Sequence, residues 1–127
     1  MERFFWICFA GALGTGVRHL VISWAGARFG STFPYGTIMI NLFGCLLVGF
    51  AMQTSLVATS ASPTIRLALT TGFLGGLTTY AGFNYETTWL LEKGSRGAAL
   101  ANVGVTTVGG FIAGLLGFAL ARRVFGE

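Results

Sequence analysis

Residues 72–86 read Gly-Phe-Leu-Gly-Gly-Leu-Thr-Thr-Tyr-Ala-Gly-Phe-Asn-Tyr-Glu, so glycines, hydroxyls and aromatic rings crowd together inside an otherwise apolar chain. This pattern predicts a helix to about Thr71, a break across 72–79 and a second helix from about Tyr80. Converging backbone carbonyls in such a break suit a hard, oxygen-preferring cation. On the second helix Tyr80, Phe83 or Asn84, and Thr87 follow at helical spacing, so two aromatic rings share a face. The edge of a ring is electropositive and contacts an anion without the full charge that would trap it. Conduction needs weak, repeated contacts of this kind. One polar segment thus offers sites to ions of opposite sign.

A few other polar groups lie in apolar surroundings. Asn41 has Thr37 and Gly44 one turn away on either side along one helical face. Its amide carries two N–H donors, available either to another helix or to a ligand. Arg18 either snorkels to the membrane interface or stands as a fixed positive charge at the mouth of an anion path, where field focusing raises the local anion concentration. Glu86 either faces the interface or guards an exit. His19 adjoins Arg18 and is read as interfacial, not as a ligand. Cys8 and Cys45 are far apart with no second ligand nearby, so they are read as packing residues. Four acids and one His supply no activated nucleophile, paired carboxylates, metal cluster or phosphate loop, which excludes the common enzyme classes.

The elements that position these groups are membrane spans. Of 127 residues 54% are hydrophobic and only 9% charged, with a mean hydropathy of +0.74, whereas soluble domains are about 25% charged. A spanning helix takes about 20 apolar residues. Four such stretches, 4–26, 35–57, 65–90 and 98–121, predict an all-α, single transmembrane domain over 1–127. In hydrocarbon, non-helical backbone survives only where it lines a cavity, coordinates an ion or is buried in protein, so a break in the third span points to permeation. Turn residues fill the connections at 28–34, 59–63 and 92–97. Arg3 and the apolar run after it mimic a secretory signal, but no Ala-x-Ala-like site follows, and the first helix is read as retained.

The net charge of +4 comes from Lys and Arg placed at span ends, as anchors and topology signals are, and not from a nucleic-acid-binding surface. Arg3, Arg66, Arg122 and Arg123 fall on one side of a four-span chain and Arg28, Lys93 and Arg96 on the other. So even a balance allows insertion both ways and an antiparallel pair of copies. Small residues recur at steps of four and three through Val103, Thr107, Gly110, Gly114, Gly117 and Ala121, and through Ile7, Gly11, Gly14, Arg18, Val21 and Ala25. These seams suit close helix pairing, either within one chain or between copies; with the charge balance they favour an oligomer.

The run Pro34-Tyr-Gly-Thr-Ile-Met-Ile-Asn-Leu-Phe-Gly44, with Gly72-Phe-Leu-Gly-Gly-Leu-Thr-Thr79, Phe83-x-x-Glu86 and Gly14-Thr-Gly-Val-Arg18, resembles the Fluc/CrcB family of bacterial fluoride channels over the whole length of the chain. The resemblance implies a dual-topology antiparallel homodimer in the bacterial inner membrane, with two fluoride pores and a structural sodium ion at its centre. It also implies that the backbone carbonyls of Gly75 and Thr78 hold the sodium, that Asn41 donates beside the pore, and that Arg18 favours anion entry. The family's two pore-lining phenylalanines fall on Tyr80 and Phe83, with Thr79 and Glu86 completing the pore set. Such channels export fluoride that enters acidified cells as neutral HF and is trapped as the anion. The family usually reads Thr-Thr-Phe-Ser-Thr-Phe-Ser where this chain has Thr78-Thr-Tyr-Ala-Gly-Phe-Asn84, so Tyr80 gains a hydroxyl while Ala81 and Gly82 lose one each.

Two other readings compete. A small multidrug-resistance exporter shares the four spans and dual topology but needs an embedded acid early in the chain, and the first span has none after Glu2. A non-conducting partner subunit of a heterodimeric channel is consistent with the substitutions at 80–82.

Overall fold

The computed structural model describes residues 1–57 and 62–125, and all regular structure among them is helical. Helix α1 (Glu2–Phe29) ends at Gly30, whose φ of 86° turns the chain while its N–H closes on the Gly26 carbonyl at 3.0 Å. Pro34 then precedes α2 (Tyr35–Val57). Most of the turn expected at 59–63 lies outside the described residues. From Ser62 the chain is clear: its hydroxyl accepts the Ile65 N–H at 3.2 Å and Pro63 opens α3 (Pro63–Leu67), where a missing N–H costs nothing. Winding continues through wide π-helical turns over Ala68–Leu74 into the single turn α4 (Gly75–Leu77).

Thr78 (φ −88°, ψ 159°) and Thr79 (φ −150°, ψ 116°) are extended. Helix α5 (Tyr80–Glu92) begins after them, capped by the Thr79 hydroxyl, which accepts the Gly82 N–H at 2.9 Å. Gly94, with φ 82°, makes the turn into α6 (Arg96–Phe125). Helix α1, the 35–54 part of α2, and α6 are long and apolar enough to cross a membrane.

The interruption is shorter than the sequence suggests, because residues 72–77 remain helical. Their glycines permit close approach instead of unwinding. A Cβ on Gly72 would lie 2.7 Å from the Ile7 carbonyl oxygen, and one on Gly76 would run into that of Gly11. The small-residue seams also find partners inside the chain. Gly14 packs on the Phe73 carbonyl, Gly49 of α2 meets Gly114 of α6, and Gly117 meets the Leu46 carbonyl. Lipid gives no hydrophobic drive between helices, so dispersion at backbone contact has to supply it, and within one chain these glycines do so, while Val103 and Thr107 of the α6 seam stay exposed. The molecule consists of two such pairs, α1 against 68–77 and α2 against α6. Ile40, Leu74 and Leu77, packed by Val21, Ile22, Leu47 and Phe73, form the core between them, next to the two extended threonines.

Candidate functional site

A continuous helix would send the Thr79 N–H to the Gly75 carbonyl. Here it goes to Asn41 Oδ1 at 2.8 Å, and Asn41 Nδ2 donates to the Thr79 carbonyl at 3.1 Å. One buried amide thus satisfies both backbone groups of the residue that leaves the helix. An unsatisfied buried group costs about 1–3 kcal/mol, so the clamp is what makes extended backbone tolerable at this depth. Only a side chain that is donor and acceptor together can do this, and Asn41 keeps one N–H hydrogen unused. One turn along α2, Gly44 leaves room for Thr78: a Cβ there would run into the threonine methyl. The Thr78 hydroxyl in turn donates to the Leu74 carbonyl at 3.1 Å.

The clamp separates two cavities. A groove of about 570 Å³ is lined by Asn41, Thr78, Thr79, Tyr80 and Phe83, with Thr106 of α6 opposite. The Tyr80 and Phe83 ring centres lie 5.8 Å apart, with the planes inclined by 53°. Phe83 is half-buried, whereas Tyr80 is 78% exposed in the single chain. A second cavity, of about 310 Å³, is lined by Arg18, His19, Thr37, Thr79 and Glu86. Thr79 lines both, so the extended pair is the wall between them. The Thr37 hydroxyl donates to Glu86 Oε2 at 3.1 Å, while Oε1 is buried without a hydrogen-bond partner.

Asn41, Thr79, Tyr80 and Phe83 therefore meet in one groove, and Arg18 and Glu86 meet on the other side of Thr79. Thr78 lines the groove; Gly75 lies on the exposed surface one turn before it. His19 and Cys8 are exposed, and Cys45 lines the groove. The sequence reading does not single out Asn102, which is 1% exposed and donates to the Thr87 hydroxyl at 2.8 Å. A usable signal existed: an asparagine in an apolar stretch with Thr106 one turn later on the same face.

Helices apolar enough to cross a membrane, with polar side chains gathered at an interruption between them, define a multi-pass membrane protein. The family model described as CrcB-like protein, Camphor Resistance (CrcB), matches residues 5–118. A protein of Sorangium cellulosum named fluoride-specific ion channel FluC is 46% identical over 124 residues, covering 98% of both chains. Proteins of the same name from Anaeromyxobacter sp. strain K and Citrifermentans bemidjiense are each 41% identical, over 99% and 98% of this chain and 100% of their own. The chain belongs to the CrcB family.

Proposed function

We propose that this protein is a fluoride-selective channel that lets fluoride leave the bacterial cytoplasm through the inner membrane, down its electrochemical gradient. The observation that supports the reading is the Asn41–Thr79 clamp, which lies between two cavities, beside a groove that the Tyr80 and Phe83 rings also line. Fluoride is small and costly to dehydrate, so it requires several donors together. The Asn41 N–H and the edges of Phe83 and Tyr80 replace part of its water shell without a full charge. Arg18 supplies positive potential in the adjoining cavity, and Glu86, held by Thr37, guards its far end.

In this reading the chain crosses the membrane four times, with 63–92 as one interrupted span, and works as an antiparallel homodimer of dual topology. The even Lys/Arg balance supports that arrangement, as does a face on which Gly75 and Tyr80 lie exposed. The Gly75 and Thr78 carbonyls of both copies would hold a structural sodium ion between the subunits. The donor chemistry fits: Gly75 has lost its usual helical N–H partner to Asn41, and neutral carbonyls suit a hard monovalent ion. No group of three or more His, Cys, Asp or Glu able to hold a metal occurs among the described residues.

Purified protein in liposomes loaded with fluoride or chloride tests the function. Fluoride efflux with chloride retained is the expected result. Equal passage of both ions, or of neither, overturns it. Tags on the C-terminus should be reachable from both sides of the membrane, and ion density should appear between the four carbonyls of a solved dimer.

A further inference from the structure

The most deeply buried large polar side chain among the described residues is Asn102, and it belongs to neither cavity wall. Asn102 makes two bonds of a series of three that run in one direction. The Thr106 hydroxyl donates to Asn102 Oδ1 at 3.4 Å, Asn102 Nδ2 donates to the Thr87 hydroxyl at 2.8 Å, and Thr87 donates to the Phe83 carbonyl at 2.8 Å. The relay starts at a groove-lining hydroxyl on α6 and ends on the backbone of the groove-lining ring on α5. Its first link is long and weak and the other two are short.

We infer that Asn102 is a positioning residue: through Thr87 it fixes where Phe83 stands, and through Thr106 it sets which way a groove hydroxyl points. Helix α5 packs on α6 much less extensively than α2 does, so this link joins the Thr37–Glu86 and Asn41–Thr79 bonds to α2 in holding α5 in place. While Thr106 donates to Asn102, only its lone pairs face the groove, and these repel an anion. The weak first link lets an arriving anion draw that hydrogen away, after which Asn102 stays anchored to Thr87. Breaking the relay at Thr87 frees Phe83 from α6 without touching any groove-lining side chain.

The inference rests on the channel reading above, and the experiment separates the two. Fluoride efflux is measured for the parent and for Thr87→Val, Thr87→Ser, Asn102→Leu and the Thr87→Val/Asn102→Leu double variant, with dimer integrity followed by size exclusion. Thr87→Val and Asn102→Leu should each slow efflux by about tenfold, the factor expected for one well-placed hydrogen bond. The double variant should be no slower than the slower single, because both cut one relay. Thr87→Ser, which keeps the hydroxyl, should retain most of the rate. Thr87→Val efflux at the parent rate, equal losses in Ser and Val, or multiplied losses in the double variant overturn the inference alone. A parent that passes no fluoride overturns both. If Asn102→Leu fails to assemble, the Thr87 pair decides the matter.

Discussion

Adding one methyl group at Gly44 tests whether the extended threonines are held as the geometry requires. Alanine there drives its Cβ into the Thr78 methyl, and ordinary carbon contacts lie at about 3.5–4.0 Å. Thr78 cannot turn aside freely, because its hydroxyl is bonded to the Leu74 carbonyl. The clash therefore passes to the Thr78–Thr79 backbone and to the Asn41 clamp. Overpacking of this kind costs about 1–3 kcal/mol, and Gly44→Ala should lower both thermal stability in detergent and fluoride efflux. Serine at 78 removes the offending methyl and keeps the hydroxyl; the next atom, Thr78 Cβ, lies a comfortable 3.6 Å from the new carbon. Gly44→Ala with Thr78→Ser should thus recover most of the stability lost in Gly44→Ala, a coupling of about 1–2 kcal/mol between the two sites. The assay is a double-mutant cycle read by thermal melting, with efflux alongside. If the two losses simply add, Gly44 is not small on account of Thr78, and the account of how α2 fixes the interruption is wrong.

Asn41→Leu leaves the Thr79 N–H and carbonyl without partners and should cost about 2–4 kcal/mol in a melt; a stability equal to the parent's would mean that the clamp carries no weight. Phe83→Ile keeps an apolar side chain but deletes the ring edge, and under the proposed function should cut fluoride efflux by about tenfold with an unchanged size-exclusion profile. Tyr80→Phe keeps the edge and removes the hydroxyl; under the proposed function efflux should rise, and an unchanged rate would show that the hydroxyl neither holds nor blocks the ion. Gly117→Ala places a carbon against the Leu46 carbonyl and 2.8 Å from the Phe50 nitrogen, so it should weaken the α2–α6 pair, whereas Gly16→Ala meets open space and should gain up to about 1 kcal/mol of stability.

The helical character of the chain was legible because its apolar stretches leave lipid-solvated helices as the natural structure, and α2 runs over the residues expected of it. Asn41 was legible as a polar group out of place in hydrocarbon, and Tyr80 and Phe83 stood out only because they follow the Thr78–Thr79 pair at helical spacing; the structure lines one groove with all three. Glycine was harder to interpret. A Gly-Gly pair after Gly72 reads as a breaker, yet at 72 and 76 the missing side chain admits α1, and the helix is left only at two threonines. Sequence spacing shows that a residue is small but not which neighbour needs it small. For the same reason the seams of α1 and α6 looked equally able to pair copies or to pack one chain. Asn102 was passed over because the cost of a buried amide depends on depth, and depth near a span end is set by where α5 lies.

The wide turns over Ala68–Leu74 give the molecule a dependence on counting. Such a turn holds about one residue more than an α-turn, and each α-helical residue advances the side-chain direction by about 100°. The stretch therefore acts as a phase shifter between Ser62, where the helix is capped, and Thr78, where it stops. Deleting Ala68 or Leu69 would let the segment relax to ordinary pitch with every polar side chain retained. The two ends would then be out of phase: if Gly72 and Gly76 stayed against α1, the stretch before them would be turned away, and if that stretch held its place, Thr79 would no longer face Asn41. A chain that keeps every site residue can thus lose the site by a change of length alone, and relatives are better compared by the spacing between Ser62 and Thr79 than by the polar residues they share.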